Sequence, residues 1–103
     1  MRRGEVRWYK FARPDKARPV VILTRDSAIE FLNEVTVAPI TSVIRNIPSE
    51  VLLTTAEGMP TESVINLDHI QTVSKGKIGA LITSLDKRKL VEIRESVLFS
   101  LGF

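Results

Sequence analysis

The chain has 103 residues, no cysteine, one histidine and a formal charge of +3. That length supports one hydrophobic core and is too short for two. The missing cysteines exclude disulfides, thiolate catalysis and Cys-based zinc sites, and any histidine triad or metal site would have to run through His69 alone.

The hydrophobic share of 44% and charged share of 26% are those of a soluble globular chain. No apolar run approaches the roughly 20 residues that span a bilayer. The start, MRRGEVRW, puts charges where a signal peptide needs its apolar region. A cytoplasmic protein with no membrane partner is expected. Residues 1–18 carry seven Lys or Arg against two acids, a surplus of five, which leaves −2 for the other 85 residues. Phosphates are drawn to such a field, although a solvated, charged first hairpin gives the same count.

Residues 4–11, GEVRWYKF, alternate as a strand with Val6, Trp8 and the stem of Lys10 on one face. Pro14-Asp15 then turns the chain. Residues 19–24 form a second strand, apolar on both faces and therefore central. Asp26 or Ser27 caps a short helical turn. Residues 35–40, VTVAPI, return to β alternation, and Pro39, lacking an amide donor, requires the strand to end, bulge or lie at an edge there.

TSVIRNIPSEVLL reads as a hairpin about Asn46–Pro48 with residues 49–54 as its return strand. EGMP breaks the chain, ESVINL is a strand, and QTV and GALIT are short closing strands around SKGK. Asp86 caps a helix running to about Leu101, with Leu90, Ile93, Val97 and Leu101 as one apolar stripe. The expected fold is one mainly β domain over residues 1–103, a small bent sheet or barrel with a C-terminal helix closing one side.

Polar residues that interrupt apolar strands are the candidates for chemistry. Arg18 stands at the lip of a buried strand, and Pro19 biases it towards an extended backbone that aims the guanidinium reproducibly. Thr41 and Ser42 place two hydroxyls where VAPI ends, able to hold a phosphate or ribose, or simply to make a turn. Period two puts Asn66 and Asp68 on one face, where amide and carboxylate can read an unstacked base. Asp68 capping a turn is the plainer alternative. The same phase points His69 away from Asp68.

Four segments, RRGEVRW, RPVVILTRD, VTVAPITS and ESVINLDHIQTV, resemble the MazF/PemK toxin family in order and spacing, from about Arg3 to the C-terminal helix. The resemblance implies a small SH3-like barrel of the CcdB/PemK toxin type. It also implies a ribosome-independent or structure-selective endoribonuclease that cuts single-stranded RNA at short sequences, with no metal or other cofactor. By resemblance, Arg18 and Thr41 are catalytic, and Ser42, Asn66 and Asp68 fall where substrate-reading or acid–base residues occur in some members. The RNA 2′-hydroxyl would attack the adjacent phosphate, leaving a 2′,3′-cyclic phosphate and a 5′-hydroxyl, while the enzyme orients the attack and stabilises the phosphorane. The proton acceptor is left between Asp68 and Arg18.

Many members carry a longer, Gly-rich first loop with a Glu-Gln pair, whereas this chain has only ARPDKA, so Arg13 and Lys16 are expected to contact the RNA backbone. One subgroup has arginine where Asn66 stands. The resemblance further implies a homodimer and an antitoxin that lays an acidic, largely disordered segment over the RNA site. A CcdB-like toxin that poisons a topoisomerase by protein binding shares the fold and is the alternative, with a non-catalytic SH3-like module as a third reading.

Overall fold

The computed structural model describes residues 1–10 and 17–103. Among these described residues, seven strands form one antiparallel sheet: β1 (Glu5–Lys10), β2 (Ala17–Ile22), β3 (Glu34–Thr41), β4 (Glu50–Leu53), β5 (Ser63–Asn66), β6 (Gln71–Ser74) and β7 (Ile78–Ser84). A short helix α1 (Asp26–Ile29) follows β2, and α2 (Lys87–Leu101) ends the chain. The strand order is β4-β5-β3-β2-β1-β7, with β6 also on β3.

The bend is made by β3. Its first half, Glu34–Val37, pairs with β6, and its last two residues, Ile40 and Thr41, pair with β5. Pro39 lies between those partners. Having no N–H, it suits the stretch where that edge of β3 has no neighbour. The strand therefore runs on through Pro39 and changes partner there.

Two cores fill the two faces of the bent sheet. One gathers Val6, Val21, Ala38, Ile40, Leu53 and Ile65 beneath α2. The other gathers Tyr9, Val20, Ile22, Val35, Val37 and Val73, with Ile29 from α1. Successive residues of β2 point to opposite faces, so Val20, Val21 and Ile22 are all buried and the strand must be apolar throughout. It is central, between β1 and β3, as expected.

Asp86 caps α2 by accepting from Lys89 N at 3.1 Å. Ile93 is buried, and Leu90 and Val97 pack against the first core. Each such side chain stabilises the fold by roughly 1.5–3 kcal/mol when fully buried. Ser96 donates to Pro48 O at 2.6 Å, and Lys89 Nζ to Leu52 O at 2.9 Å, which dock the helix on β4 and the chain before it. The stripe leaves the core before its end: Leu101 is 59% exposed.

Two local expectations are corrected, and Trp8 keeps its expected phase. The segment from Thr41 to Leu53 is not a hairpin, because β5 is inserted between β3 and β4 and residues 42–49 form a loop. The turn itself is present, with Asn46 at φ 56°. Trp8, in phase with Val6, lies beyond the rim of the core and is 42% exposed, while Tyr9 enters the opposite core. Irregular pairing of β1 with β7, shifted on both sides of Arg7, accompanies this change. Finally, QTV and GALIT are strands but pair elsewhere, β6 with β3 and β7 with β1.

Candidate active site

Strands β2 and β3 pair as Ile22↔Val37, Val21↔Ala38 and Val20↔Pro39. The same register, continued two residues further, sets Arg18 opposite Thr41. Pro19 stands at this limit and has no N–H to offer β3, so the pairing of β2 with β3 ends at Val20↔Pro39, just before the two polar side chains. On the other edge of β3, Thr41 pairs with Val64, and Asn66 at the end of β5 pairs with Glu50 of β4. Four neighbouring strands thus each deliver a polar side chain to one place.

That place is an open cleft of about 400 Å³ lined by Arg18, Pro39, Thr41, Val43, Arg45, Glu50, Asn66, His69 and Gln71. A larger hollow of about 640 Å³, beside Arg3, Arg25 and Glu34, contains none of the expected site residues.

Arg18 is exposed and has no ion-pair partner among the described residues. The other described N-terminal arginines with hydrogen bonds are tied to the fold. Arg3 Nε donates to Leu23 O at 2.9 Å, and Arg7 bridges Glu5 at 2.8 Å and Gly79 O at 3.1 Å. Burial pushes the Glu5 carboxyl up, but hydrogen bonds from the Arg7 side chain and the Arg2 backbone, with the charge of Arg7, together outweigh it and leave the group below its ordinary value. Arg18, by contrast, is available to an anion.

Thr41 Oγ1 accepts from Val43 N at 3.2 Å, which leaves its own proton to be donated elsewhere. Arg45 N donates to Glu50 Oε1 at 2.9 Å and ties the loop over the end of the cleft. Asn66 is 8% exposed, and its Oδ1 accepts from Asp68 N at 3.0 Å, closing a 3₁₀ turn over Leu67–His69. Its Nδ2 lies 3.4 Å from His69 Nδ1.

Of the residues expected from sequence, Arg18, Thr41 and Asn66 share the cleft. Ser42 and Asp68 are exposed beside it and do not line it. Asp68 Oδ2 instead accepts from Ser49 Oγ at 2.6 Å. Asn66 and Asp68 do not share a strand face, because β5 ends at Asn66 and the turn rotates the chain beyond it; nor does Asp68 cap the turn, which is capped by Asn66. Arg13 and Lys16 lie outside the described residues. Sequence reasoning missed Arg45, Glu50, His69 and Gln71. For His69 a signal existed: Asn two residues before Asp is a cap pattern, and a turn there reverses the strand phase. Among the described residues no group of three or more His, Cys, Asp or Glu side chains is placed to hold a metal ion.

An antiparallel bent sheet closed by a C-terminal helix is the fold of a small β domain of the toxin type. Residues 2–101 match the family described as PemK-like, MazF-like toxin of type II toxin–antitoxin systems, and the chain belongs to that family. It is 41% identical over 93 residues to the probable endoribonuclease MazF5 of Mycobacterium tuberculosis, covering 89% of this chain and 80% of that one. The fold superposes on the M. tuberculosis toxin MazF-mt6 with a TM-score of 0.88 at 31% identity, over 96% and 97% of the two chains. A mycobacterial endoribonuclease solved in complex with its cognate antitoxin has the same fold, with a TM-score of 0.88 at 22% identity over 100% of this chain and 96% of that one.

Proposed function

We propose that this toxin is a sequence-specific endoribonuclease that cuts single-stranded RNA without a metal, leaving 2′,3′-cyclic phosphate and 5′-hydroxyl ends. The observation that carries this reading is the Arg18 guanidinium, without an ion-pair partner among the described residues, set opposite Thr41 in one cleft. Arg18 supplies charge to the two non-bridging oxygens of the scissile phosphate as the phosphorane forms. Thr41 donates its remaining proton to the same group and orients it for in-line attack by the 2′-hydroxyl. The proton from that hydroxyl leaves to a base, and the 5′-oxygen of the leaving nucleotide takes one up. Glu50 brings a carboxylate to the cleft; Asp68 does not.

The partners follow from the same surface. RNA and an acidic antitoxin segment would compete for the cationic groups Arg18 and Arg45 at the cleft. We also propose a homodimer in the cytoplasm. An apolar groove of about 650 Å³ runs along α2 between Leu23, Ile70, Val91, Leu98 and Leu101, and a second copy would cover it. No helix among the described residues is long and apolar enough to cross a membrane.

The test is incubation of purified protein with mixed RNA in excess chelator, followed by mapping of ends. Discrete cuts with cyclic-phosphate ends are expected, lost in Arg18→Ala and in Thr41→Ala. Chelator-sensitive cutting, or full activity in Arg18→Ala, overturns the mechanism. Binding to a topoisomerase subunit without RNA cleavage overturns the nuclease reading.

A further inference from the structure

We propose that His69 is a specificity-determining residue that reads a nucleobase of the bound RNA through its Nε2–H. This rests on the nuclease reading above. The Asn66 amide is almost wholly buried, and its hydrogen bonds fix its orientation. Its Oδ1 accepts the backbone N–H of Asp68 at 3.0 Å, so the other end of the amide must be Nδ2, a donor only. That donor faces His69 Nδ1 at 3.4 Å. Two donors cannot share a hydrogen bond, so Nδ1 presents its lone pair to the amide and the ring N–H is the one on Nε2.

Nε2–H has no acceptor among the described residues, and the exposed ring lines the same cleft as Arg18 and Thr41. A fixed tautomer and a fixed ring orientation are what a base-reading side chain needs, because a rotating donor discriminates poorly. The 3₁₀ turn supplies the placement: it carries His69 back to the cleft while sending Asp68 away to Ser49. With Arg18 and Thr41 engaged on the scissile phosphate, His69 meets a neighbouring base that offers an acceptor on its edge.

Cleavage of a randomised RNA pool by wild type, His69→Ala and His69→Gln, with every cut site sequenced, tests this. His69→Ala is expected to keep the same chemical ends while base discrimination at one position falls by about tenfold or more, the loss of one direct base contact. His69→Gln, which retains a terminal N–H, restores preference at that position. Unchanged preference at every position in His69→Ala overturns the proposal. So does loss of all cleavage by a folded His69→Ala protein, since the residue would then belong to the chemistry. Because the chain has one histidine, its ¹⁵N spectrum gives a second readout that needs no variant. On binding the preferred oligonucleotide, made uncleavable by a 2′-deoxy sugar at the cut, the Nε2–H resonance shifts downfield. A spectrum that does not move also overturns the assignment. Absence of cleavage by wild type defeats the nuclease reading itself, whereas wild-type cleavage with unaltered His69→Ala preferences defeats only the role of His69.

Discussion

Replacing Thr41 by valine separates what this residue does for the fold from the catalytic role proposed for it. Valine keeps the β-branched shape that suits the end of β3, and Thr41 is only half-buried there. The structural loss is one long hydrogen bond, from Val43 N at 3.2 Å, in an exposed part of the loop where water replaces it. Such a bond contributes about 0.5–1.5 kcal/mol at most. For a domain of this size, Tm then falls by less than about 10 °C. The functional loss is different in kind. With its oxygen lone pair committed to Val43, the hydroxyl offers the phosphate one proton, and valine removes it. Removing one donor aimed at developing charge slows catalysis about 10²–10³-fold. Single-turnover cleavage of a labelled oligonucleotide at saturating enzyme, beside a thermal melt of the same preparation, measures both. Thr41→Ser, which keeps the donor, is expected to recover most of the rate. A Thr41→Val protein that cleaves within about threefold of wild type, against the 10²-fold or larger loss a missing donor imposes, refutes the reasoning.

The other predictions concern pH, backbone and assembly. Hydrogen bonds from Thr54, its backbone N–H at 2.7 Å foremost, hold the Glu57 carboxyl below its ordinary value although burial opposes them. A depressed carboxylate stabilises fully above its unfolded value and loses that contribution as pH falls through the folded one, so Glu57→Gln is expected to flatten the acid limb of a stability–pH curve. Gly58 has φ +91°, and an added Cβ would lie 2.5 Å from Thr83 Oγ1. Gly58→Ala should therefore destabilise by about 1–3 kcal/mol or more in urea unfolding, and an unchanged midpoint would contradict the strain. Leu98→Glu would force a carboxylate into the proposed dimer face and raise the dissociation constant about 100-fold or more, read by sedimentation velocity. A mass that does not change on dilution in both proteins removes that face as the interface.

The elements most legible in the sequence are those whose burial is set by local pattern. β2 announces itself because a strand buried on both faces must be apolar at every residue, and α2 because Asp86 and the Leu90–Ile93–Val97 spacing define one start and one face. Arg18 and Thr41 are conspicuous as polar residues at the ends of such strands. Their meeting is not legible, since it depends on the register of β2 against β3, which no local pattern specifies. The insertion of β5 between β3 and β4 is equally non-local, and a proline-containing loop after a strand looks the same whether or not the next strand returns beside it. Trp8 shows a further limit: period two gives its phase correctly but not that the core ends before reaching it. His69 was hidden by a smaller event, a single 3₁₀ turn that breaks the phase at Asn66.

The change of partner at Pro39 has an evolutionary consequence. Arg18 and Thr41 end strands that are anchored through both cores, so they cannot drift without unfolding the domain. Arg45 and His69 sit on a loop and a turn that the inserted β5 brings to the same cleft, and their neighbours can vary at little cost to stability. Under the proposed mechanism, one lineage can thus explore many RNA targets by editing the loops while inheriting an unaltered Arg18–Thr41 pair.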